Sequence, residues 1–190
     1  VRHPDYGTSG VEGDTITANI AVGYFKNPIQ CNKRIQFIEL QTDPLPDGYS
    51  SSYQVYGFGT DKFPETPGDY QPTYVLKSLE VVGLADTAKC ENYFKYLLYH
   101  PSIPYGASCI STKDYQASQC QLDQGSPVVD VASGRQVGII PYISPFCDLT
   151  RPGVVLSIYD FLPWIFDQLK PANYPDYDPN AKKSPYNEKK

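Results

Sequence analysis

Short runs rich in β-branched and aromatic residues recur along the chain, and polar stretches separate them. The separating stretches, such as residues 42–51 and 63–70, contain Gly, Pro, Asp and Ser, which favour turns. Many brief strands joined by turns predict an all-β barrel or sandwich. The predicted strands are residues 15–25, 34–40, 52–58, 74–84, 126–131 and 135–140.

Two segments favour helices. The first predicted helix, residues 86–94, is short and has Asp86 as a candidate N-cap. Residues 160–170 have a clearer pattern, because Asp160 can cap the helix and Pro163 is expected in its first turn. The apolar face predicted for this helix consists of Leu162, Ile165, Phe166 and Leu169.

Composition narrows the class of protein and its surroundings. The 190 residues are 41% hydrophobic, and the net charge of −5 argues against nucleic acid and anionic membranes as partners. No run approaches the roughly 20 apolar residues of a membrane span. Five cysteines, 17 tyrosines and 18 prolines favour an extracellular, oxidised protein. The absence of Met and the start at Val1 predict a processed chain or a fragment.

Five motifs, in this order, resemble the chymotrypsin/trypsin-like serine proteases. They lie at residues 3–6, 18–28, 55–59, 120–131 and 151–165. The resemblance implies an all-β, trypsin-like double β-barrel with a C-terminal helix, in which the first barrel is incomplete. The implied divisions are residues 1–45 for part of barrel 1 and the linker, 46–160 for barrel 2, 161–170 for the helix and 171–190 for a polar tail.

The family has about 70 more residues before the point that corresponds to Val1. Open strands with an exposed apolar face invite aggregation, so we expect a second fragment to complete barrel 1. The tail lacks any aliphatic side chain larger than alanine and is expected to be solvated. Packing of its tyrosines against the body of the protein is the alternative.

The resemblance also implies two disulfides. It pairs Cys90 with Cys109 and Cys120 with Cys147, and each could stabilise the fold by roughly 3 kcal/mol in the chain-entropy account. Cys31 has no implied partner in the chain. It is either a free thiol or bonded to another polypeptide, such as the second fragment.

The same resemblance places unexpected residues at the catalytic positions. Gln124 corresponds to the nucleophilic serine and Asn19 to the carboxylate that holds the imidazole tautomer. An amide cannot attack a carbonyl, and an asparagine facing the imidazole favours the wrong tautomer. No histidine occupies the family position, because His3 and His100 are both expected to be solvated loop residues. The prediction is a degenerate site in a protein that is not an enzyme.

Neighbouring positions depart from the family as well. Leu122 corresponds to the oxyanion-hole glycine, so the backbone conformation there is expected to be disturbed. Asp123 is retained, and it needs a partner other than the N-terminal ammonium of active relatives. Ser126 has no imidazole placed to activate it and is expected to satisfy local backbone groups.

The implied specificity pocket is also changed. Ser118 corresponds to its base, and the substrate-pairing edge corresponds to Pro141, Tyr142 and Ile143. Proline removes a backbone donor from that edge, and Ile143 places a branched side chain where glycine opens the pocket. No metal-ligand cluster, phosphate loop or dinucleotide fingerprint occurs in the sequence. We therefore expect neither a metal nor a cofactor.

These observations predict a secreted serine protease homologue that works by binding host or endogenous proteins. Within the family it is most similar to mite group 3 allergen trypsins and to inactivated scabies mite paralogues, which implies interference with complement. The alternatives are a gut or salivary ligand-binding protein and a regulator of an active protease. The tyrosines of residues 46–56 and 93–105 are predicted to lie in contact loops, and packing in the core is the alternative for half of them.

Overall fold

The computed structural model describes residues 1–27, 29–44, 51–60, 71–83, 87–112, 122–142 and 151–170. Among these residues, six antiparallel strands close into a barrel in the order β1-β2-β3-β6-β5-β4. The strands are β1 Ser52–Gly57, β2 Lys77–Gly83, β3 Ala107–Ser111, β4 Pro127–Asp130, β5 Gln136–Ile139 and β6 Gly153–Ser157. The predicted all-β, trypsin-like fold is confirmed, whereas its division into units stays a prediction.

Alternate side chains of these strands fill the barrel interior. Tyr53 and Val55 of β1 point inward with Val128 of β4, as the two-residue period of a strand requires. A register irregularity between Val128 and Val129 interrupts the pairing of β4 with β5. The interior is completed by Val81, Ile110, Val137, Ile140 and Val155.

The helices differ in detail from the sequence prediction. Helix α1 spans Thr87–Asn92 and continues as a π-helical turn over Tyr93–Leu97, while the proposed cap Asp86 lies outside the described residues. Helix α2 spans Ile158–Gln168, and its N-cap is Ser157 rather than Asp160. Ser157 is extended, and its hydroxyl accepts a hydrogen bond from the Asp160 N–H at 3.4 Å.

The buried face of α2 also differs in part from the predicted face. The predicted face is correct at Leu162 and Ile165, but Phe166 and Leu169 are exposed. Pro163 is the sixth helical residue and therefore lies beyond the first turn. The buried side chains at helical spacing are Ile158, Phe161, Leu162 and Ile165.

The N-terminal segment, residues 1–44, covers the barrel without adding a named strand. The predicted strands 15–25 and 34–40 form single bridges instead, such as Leu40 with Gln136. Ile16, Ala18 and Ile20 are buried with a strand-like period, but the barrel and α2 cover them. Burial against other elements therefore explains their alternation without a partner strand.

Candidate functional site

The turn that carries Gln124 leads directly into β4. Leu122 and Gly125 both have left-handed backbone conformations, with φ of 76° and 85°. The Gly125 N–H donates to the Ile140 carbonyl at 2.8 Å, and the Ser126 N–H donates to the Asp123 carbonyl at 3.0 Å. The first bond ties the turn to the residue that follows β5, and the second closes the turn itself.

Asp123 anchors this turn to the end of β1. Its Oδ1 accepts a hydrogen bond from the Gly59 N–H at 2.8 Å. A Cβ added to Gly57 or Gly59 would approach the Asp123 carboxylate to well under 3.0 Å, so both positions require glycine. A backbone N–H is thus a partner that the sequence did not indicate for Asp123.

Leu122 has a left-handed backbone conformation, with φ of 76°, although it is not glycine. The expectation that replacing the family's glycine disturbs the oxyanion-hole conformation stays a prediction. Residues of this type seldom adopt positive φ, and the strain is held by the bonds on either side. The Leu122 N–H donates to Oε1 of Gln124 at 3.1 Å. The Gln124 side chain therefore folds back over its own turn.

Asn19 lies beside Pro141, so these two predicted site residues are in direct contact. The Asn19 Nδ2 donates to the Thr15 carbonyl at 2.7 Å and to the Pro141 carbonyl at 2.9 Å. Both acceptors are carbonyl oxygens, so only the NH₂ end of Asn19 can face them. Its Oδ1 is consequently the end directed elsewhere.

The adjacent carbonyls of Ile140 and Pro141 bring the turn that carries Gln124 close to the side chain of Asn19. The first accepts from the Gln124 turn, and the second accepts from Asn19. Tyr142 follows and packs beside the cluster around Cys90 and Cys109. Burial raises the pKa of its phenol, and the charge of Arg151 acts in the opposite direction.

Other predicted site residues fall outside the described residues. These are Ser118, Ile143, Cys120 and Cys147. The Cys90–Cys109 disulfide is confirmed, with an S–S distance of 2.04 Å. Cys31 is a free thiol in this chain and is partly exposed. Ser126 is buried, and its backbone N–H and carbonyl are both hydrogen-bonded.

Comparison with known proteins decides the family. Residues 1–165 match the family described as Trypsin. The chain belongs to the trypsin family. Human trypsin-3 is 27% identical over 173 residues, which are 89% of this chain and 49% of that protein. Human putative trypsin-6 is 24% identical over 169 residues, which are 89% of this chain and 61% of that protein. The trypsin-family chain thus spans about half the length of these relatives.

These comparisons overturn our prediction that the protein is not an enzyme. The matched family and both relatives carry the names of proteases, which suggests a protease. Two carbonyls hold the NH₂ group of Asn19, which leaves its amide oxygen as the end that can accept a hydrogen bond from another group. The assignment of Gln124 and Asn19 to triad positions rests on resemblance and stays a prediction.

Neither histidine of the trypsin-family chain is a solvated loop residue, contrary to our expectation. The His3 side chain is 12% exposed, and its ring packs on Trp164 at 4.8 Å and on Phe161 at 5.3 Å. His100 is buried against Phe94 and faces Asp14 across 3.8 Å. Helix α2 therefore covers His3, whereas Phe94 and the distant Asp14 cover His100.

The carboxylate of Asp14 is a buried group that the sequence analysis missed. Its Oδ2 accepts from the Ser9 hydroxyl at 2.6 Å, and its Oδ1 accepts from the N–H groups of Ile16 and Thr17 at 2.8 and 3.0 Å. Burial alone works to raise the pKa of this carboxyl, but its hydrogen bonds with Ser9, Thr17 and Ile16 outweigh burial and hold that pKa far below its usual value. The local signal was an Asp followed by residues whose N–H groups can close a turn.

Replacing Asp14 by alanine should lower the free energy of unfolding by about 2 kcal/mol at about pH 5, because a buried charged acceptor is lost. A carboxyl with a lowered pKa stabilises the fold above its ordinary titration range. That contribution is lost as the pH falls toward the lowered pKa. The cost of Asp14→Ala should therefore shrink by about pH 2, as measured by urea unfolding. An equal cost at both pH values would contradict the assignment, and Asp5→Ala, at a 71% exposed side chain, is the control.

Proposed function

We propose that this chain is part of a secreted trypsin-family protein that acts on other proteins by binding them. Host complement proteins are the first partners to test, because of the resemblance to mite trypsins and their paralogues. The protease names of the relatives favour cleavage of bound proteins as a second function of the whole protein. Both functions require a surface that recognises polypeptides.

Exposed tyrosines on the loop that follows α1 support this proposal. Tyr96, Tyr99 and Tyr105 are all exposed, whereas Tyr93 in the same stretch is buried. Tyrosine is enriched at protein interfaces, because it combines a large apolar ring with a hydrogen-bonding hydroxyl. Residues 93–105 therefore include a surface suited to a protein partner.

The single observation that carries the proposal is the exposure of Tyr99 on a strained backbone. The residue is 81% exposed, and its backbone has a φ of 53°. Aromatic residues rarely adopt this region, and such strain is concentrated at functional positions. The bonds from His100 N–H to the Phe94 carbonyl at 2.9 Å and from Leu98 N–H to the Tyr93 carbonyl maintain the conformation. These bonds hold the backbone on both sides of Tyr99, and the residue itself faces solvent.

The other predicted contact loop gives less support. Tyr53 is buried in the barrel, so our guess is wrong for this residue. Tyr56 is partly buried, and its hydroxyl donates to Oε1 of Gln54. Tyr49 lies outside the described residues. We therefore place the recognition surface at residues 93–105.

One observation supports secretion. The Cys90–Cys109 disulfide is typical of oxidising compartments. Across the described part of the chain, the structure contains no helix of the length and apolar character needed to span a bilayer.

Exposed apolar side chains in the N-terminal segment support the hypothesis that a second polypeptide completes barrel 1. Phe25, Ile35, Phe37 and Ile38 are exposed in the N-terminal segment, with Phe37 at 76%. We propose that another polypeptide completes this side of the protein and covers them. The free thiol of Cys31 lies within the same segment and could bond to that polypeptide.

A haemolysis assay, combined with labelling by a covalent serine-hydrolase probe, tests the proposal. The purified protein should protect red cells from lysis by complement in serum. Protection without probe labelling or peptide cleavage supports binding alone, whereas labelling together with cleavage of complement proteins supports proteolysis. Unchanged lysis and no association with complement proteins would contradict the proposal.

A further inference from the structure

Residues 35–39, which we call the edge segment, form an exposed run that is held at both ends. Its first residue forms an isolated antiparallel bridge with Asn32. At its other end, the Glu39 carbonyl accepts from the Gln136 N–H at 2.8 Å, and the Gln41 N–H donates to the Gln136 carbonyl at 2.9 Å. The edge segment therefore continues outward from a parallel contact with β5.

This contact with Gln136 determines which backbone groups of the edge segment face outward. Successive residues of a strand-like run direct their N–H and carbonyl groups to opposite sides. Glu39 and Gln41 direct theirs toward Gln136, so those of Gln36 and Ile38 lie on the outer side. Neither Gln36 nor Ile38 has a backbone hydrogen-bond partner within the described part of the chain. Their N–H and carbonyl groups are therefore available to a partner strand.

The side chains of the edge segment are largely apolar and exposed. Ile35 and Ile38 are each 44% exposed, and Phe37 is 76% exposed. Ile35 and Phe37 are two residues apart and therefore lie on the same face of the run. An exposed strand with this composition and with unpaired backbone groups is a template for pairing with another strand.

Opposite charges at the two ends of the edge segment favour one kind of partner strand. Lys33 and Arg34 precede the segment, are exposed and form no ion pair with a described residue. Glu39 and Asp43 at the other end share one cation, because Arg135 lies 3.4 Å from the first and 4.0 Å from the second. An antiparallel partner should be acidic beside the basic end and basic beside the acidic end. A second copy of the edge segment has this order of charges.

We propose that two copies of this chain pair through their edge segments, antiparallel to each other about a twofold axis at Phe37. In this register Gln36 of each copy lies opposite Ile38 of the other, and these residues exchange N–H to carbonyl hydrogen bonds. The two Phe37 side chains lie opposite each other, with Ile35 diagonal to them, which joins the apolar side chains of both copies. The segment is thus complementary to itself, as a twofold interface requires.

The pairing rests on the proposal that another polypeptide covers the N-terminal segment, and it names a second copy as that polypeptide over residues 35–39. It requires neither complement proteins nor proteolysis. A chain that stays monomeric but protects red cells would overturn the pairing alone. A dimer that leaves lysis unchanged would support the pairing, while the proposed function would fail.

Sedimentation velocity of the Cys31→Ala protein tests the pairing, because a disulfide between two Cys31 thiols cannot then imitate it. The fraction of dimer should rise with protein concentration. Phe37→Lys and Phe37→Glu, each made in this background, place like charges opposite each other across the axis, so each should weaken the dimer about tenfold or more. An equimolar mixture of these two variants should restore the dimer, because opposite charges then face each other.

Phe25→Lys is the matched control for the Phe37 variants. Phe25 is 68% exposed in the same N-terminal segment but lies outside the edge segment, so this variant should dimerise as the Cys31→Ala protein does. A parent protein that remains monomeric would overturn the pairing. It would also be overturned by Phe37 variants that dimerise as well as the control, or by a mixture that remains monomeric.

Amide hydrogen exchange of the protein without Phe37 substitutions keeps the pairing testable if those variants do not fold. Exchange at Gln36 and Ile38 should slow as the protein concentration rises, because their N–H groups become hydrogen-bonded. Exchange at Phe37 should change less, since its N–H is directed toward the side of β5. Rates at Gln36 and Ile38 that do not depend on concentration would contradict the proposed register.

Discussion

Gly59→Ala is expected to lower the free energy of unfolding by about 3 kcal/mol, because the new methyl group overlaps a fixed side chain. An added Cβ would lie well under 3.0 Å from the carboxylate of Asp123. That carboxylate accepts the Gly59 N–H and cannot retreat without giving up this bond. The substitution should therefore displace the whole turn that carries Gln124. Urea unfolding gives the loss of stability, and the amide chemical shifts of residues 122–126 report the displacement.

Two further variants make the Gly59 prediction specific. Gly23→Ala is the control, because an added Cβ there meets nothing within 4 Å. Asp123→Ala should be costly in the unmodified protein, where it leaves the Gly59 N–H without this acceptor. In the Gly59→Ala background the same change should cost less than about 1 kcal/mol, since neighbouring substitutions do not add. Simple additivity would show that the carboxylate and the glycine do not interact.

Removing the Cys90–Cys109 disulfide by alanine substitution at both positions is expected to cost about 3 kcal/mol. The bond closes a loop with a sequence separation of 19 residues. It also lies in a buried cluster with Phe94 and Val154, so the loss extends to the base of the 93–105 loop. Thermal unfolding of the double variant should show a lower midpoint than that of the unmodified protein.

Cys31→Ala is the matched control for the disulfide. The Cys31 thiol is free in this chain and only partly buried, so its loss should change stability by less than about 1 kcal/mol. If both variants had the same small effect, the disulfide would not hold this part of the structure. A large effect of Cys31→Ala would instead show that Cys31 has a structural partner.

The barrel was predictable from sequence to the extent that its strands bury alternate residues. Strands β1, β2, β4 and β5 lie within predicted runs. Residues 15–25 have the same alternation but pack on the barrel and α2, because the period of burial does not identify the covering element. The N-cap of α2 was misassigned for a different reason: Ser157, not Asp160, caps the helix. A cap depends on backbone conformation, which composition alone does not determine.

The candidate site was less predictable because its contacts join distant residues. Resemblance pointed to Asp123 and Asn19, but their partners are backbone groups of Gly59 and Pro141. Side-chain type does not reveal such partners. The pair of His100 with Asp14 was missed for the same reason, since neither neighbouring sequence indicates the other. The one local signal in the sequence was Asp14 itself, because the N–H groups of the residues that follow it can donate to its carboxylate.

The binding of purified complement proteins to three forms of the chain tests the central claim most directly. Surface plasmon resonance should detect binding by the unmodified protein and about 30-fold weaker binding by Tyr99→Ala, as for an interface hot spot. Tyr74→Ala is the control, because Tyr74 is 96% exposed and lies outside residues 93–105. Its affinity should stay within about threefold of the unmodified protein. Absence of binding by the unmodified protein, or equal affinities for the two variants, would contradict recognition of proteins through Tyr99.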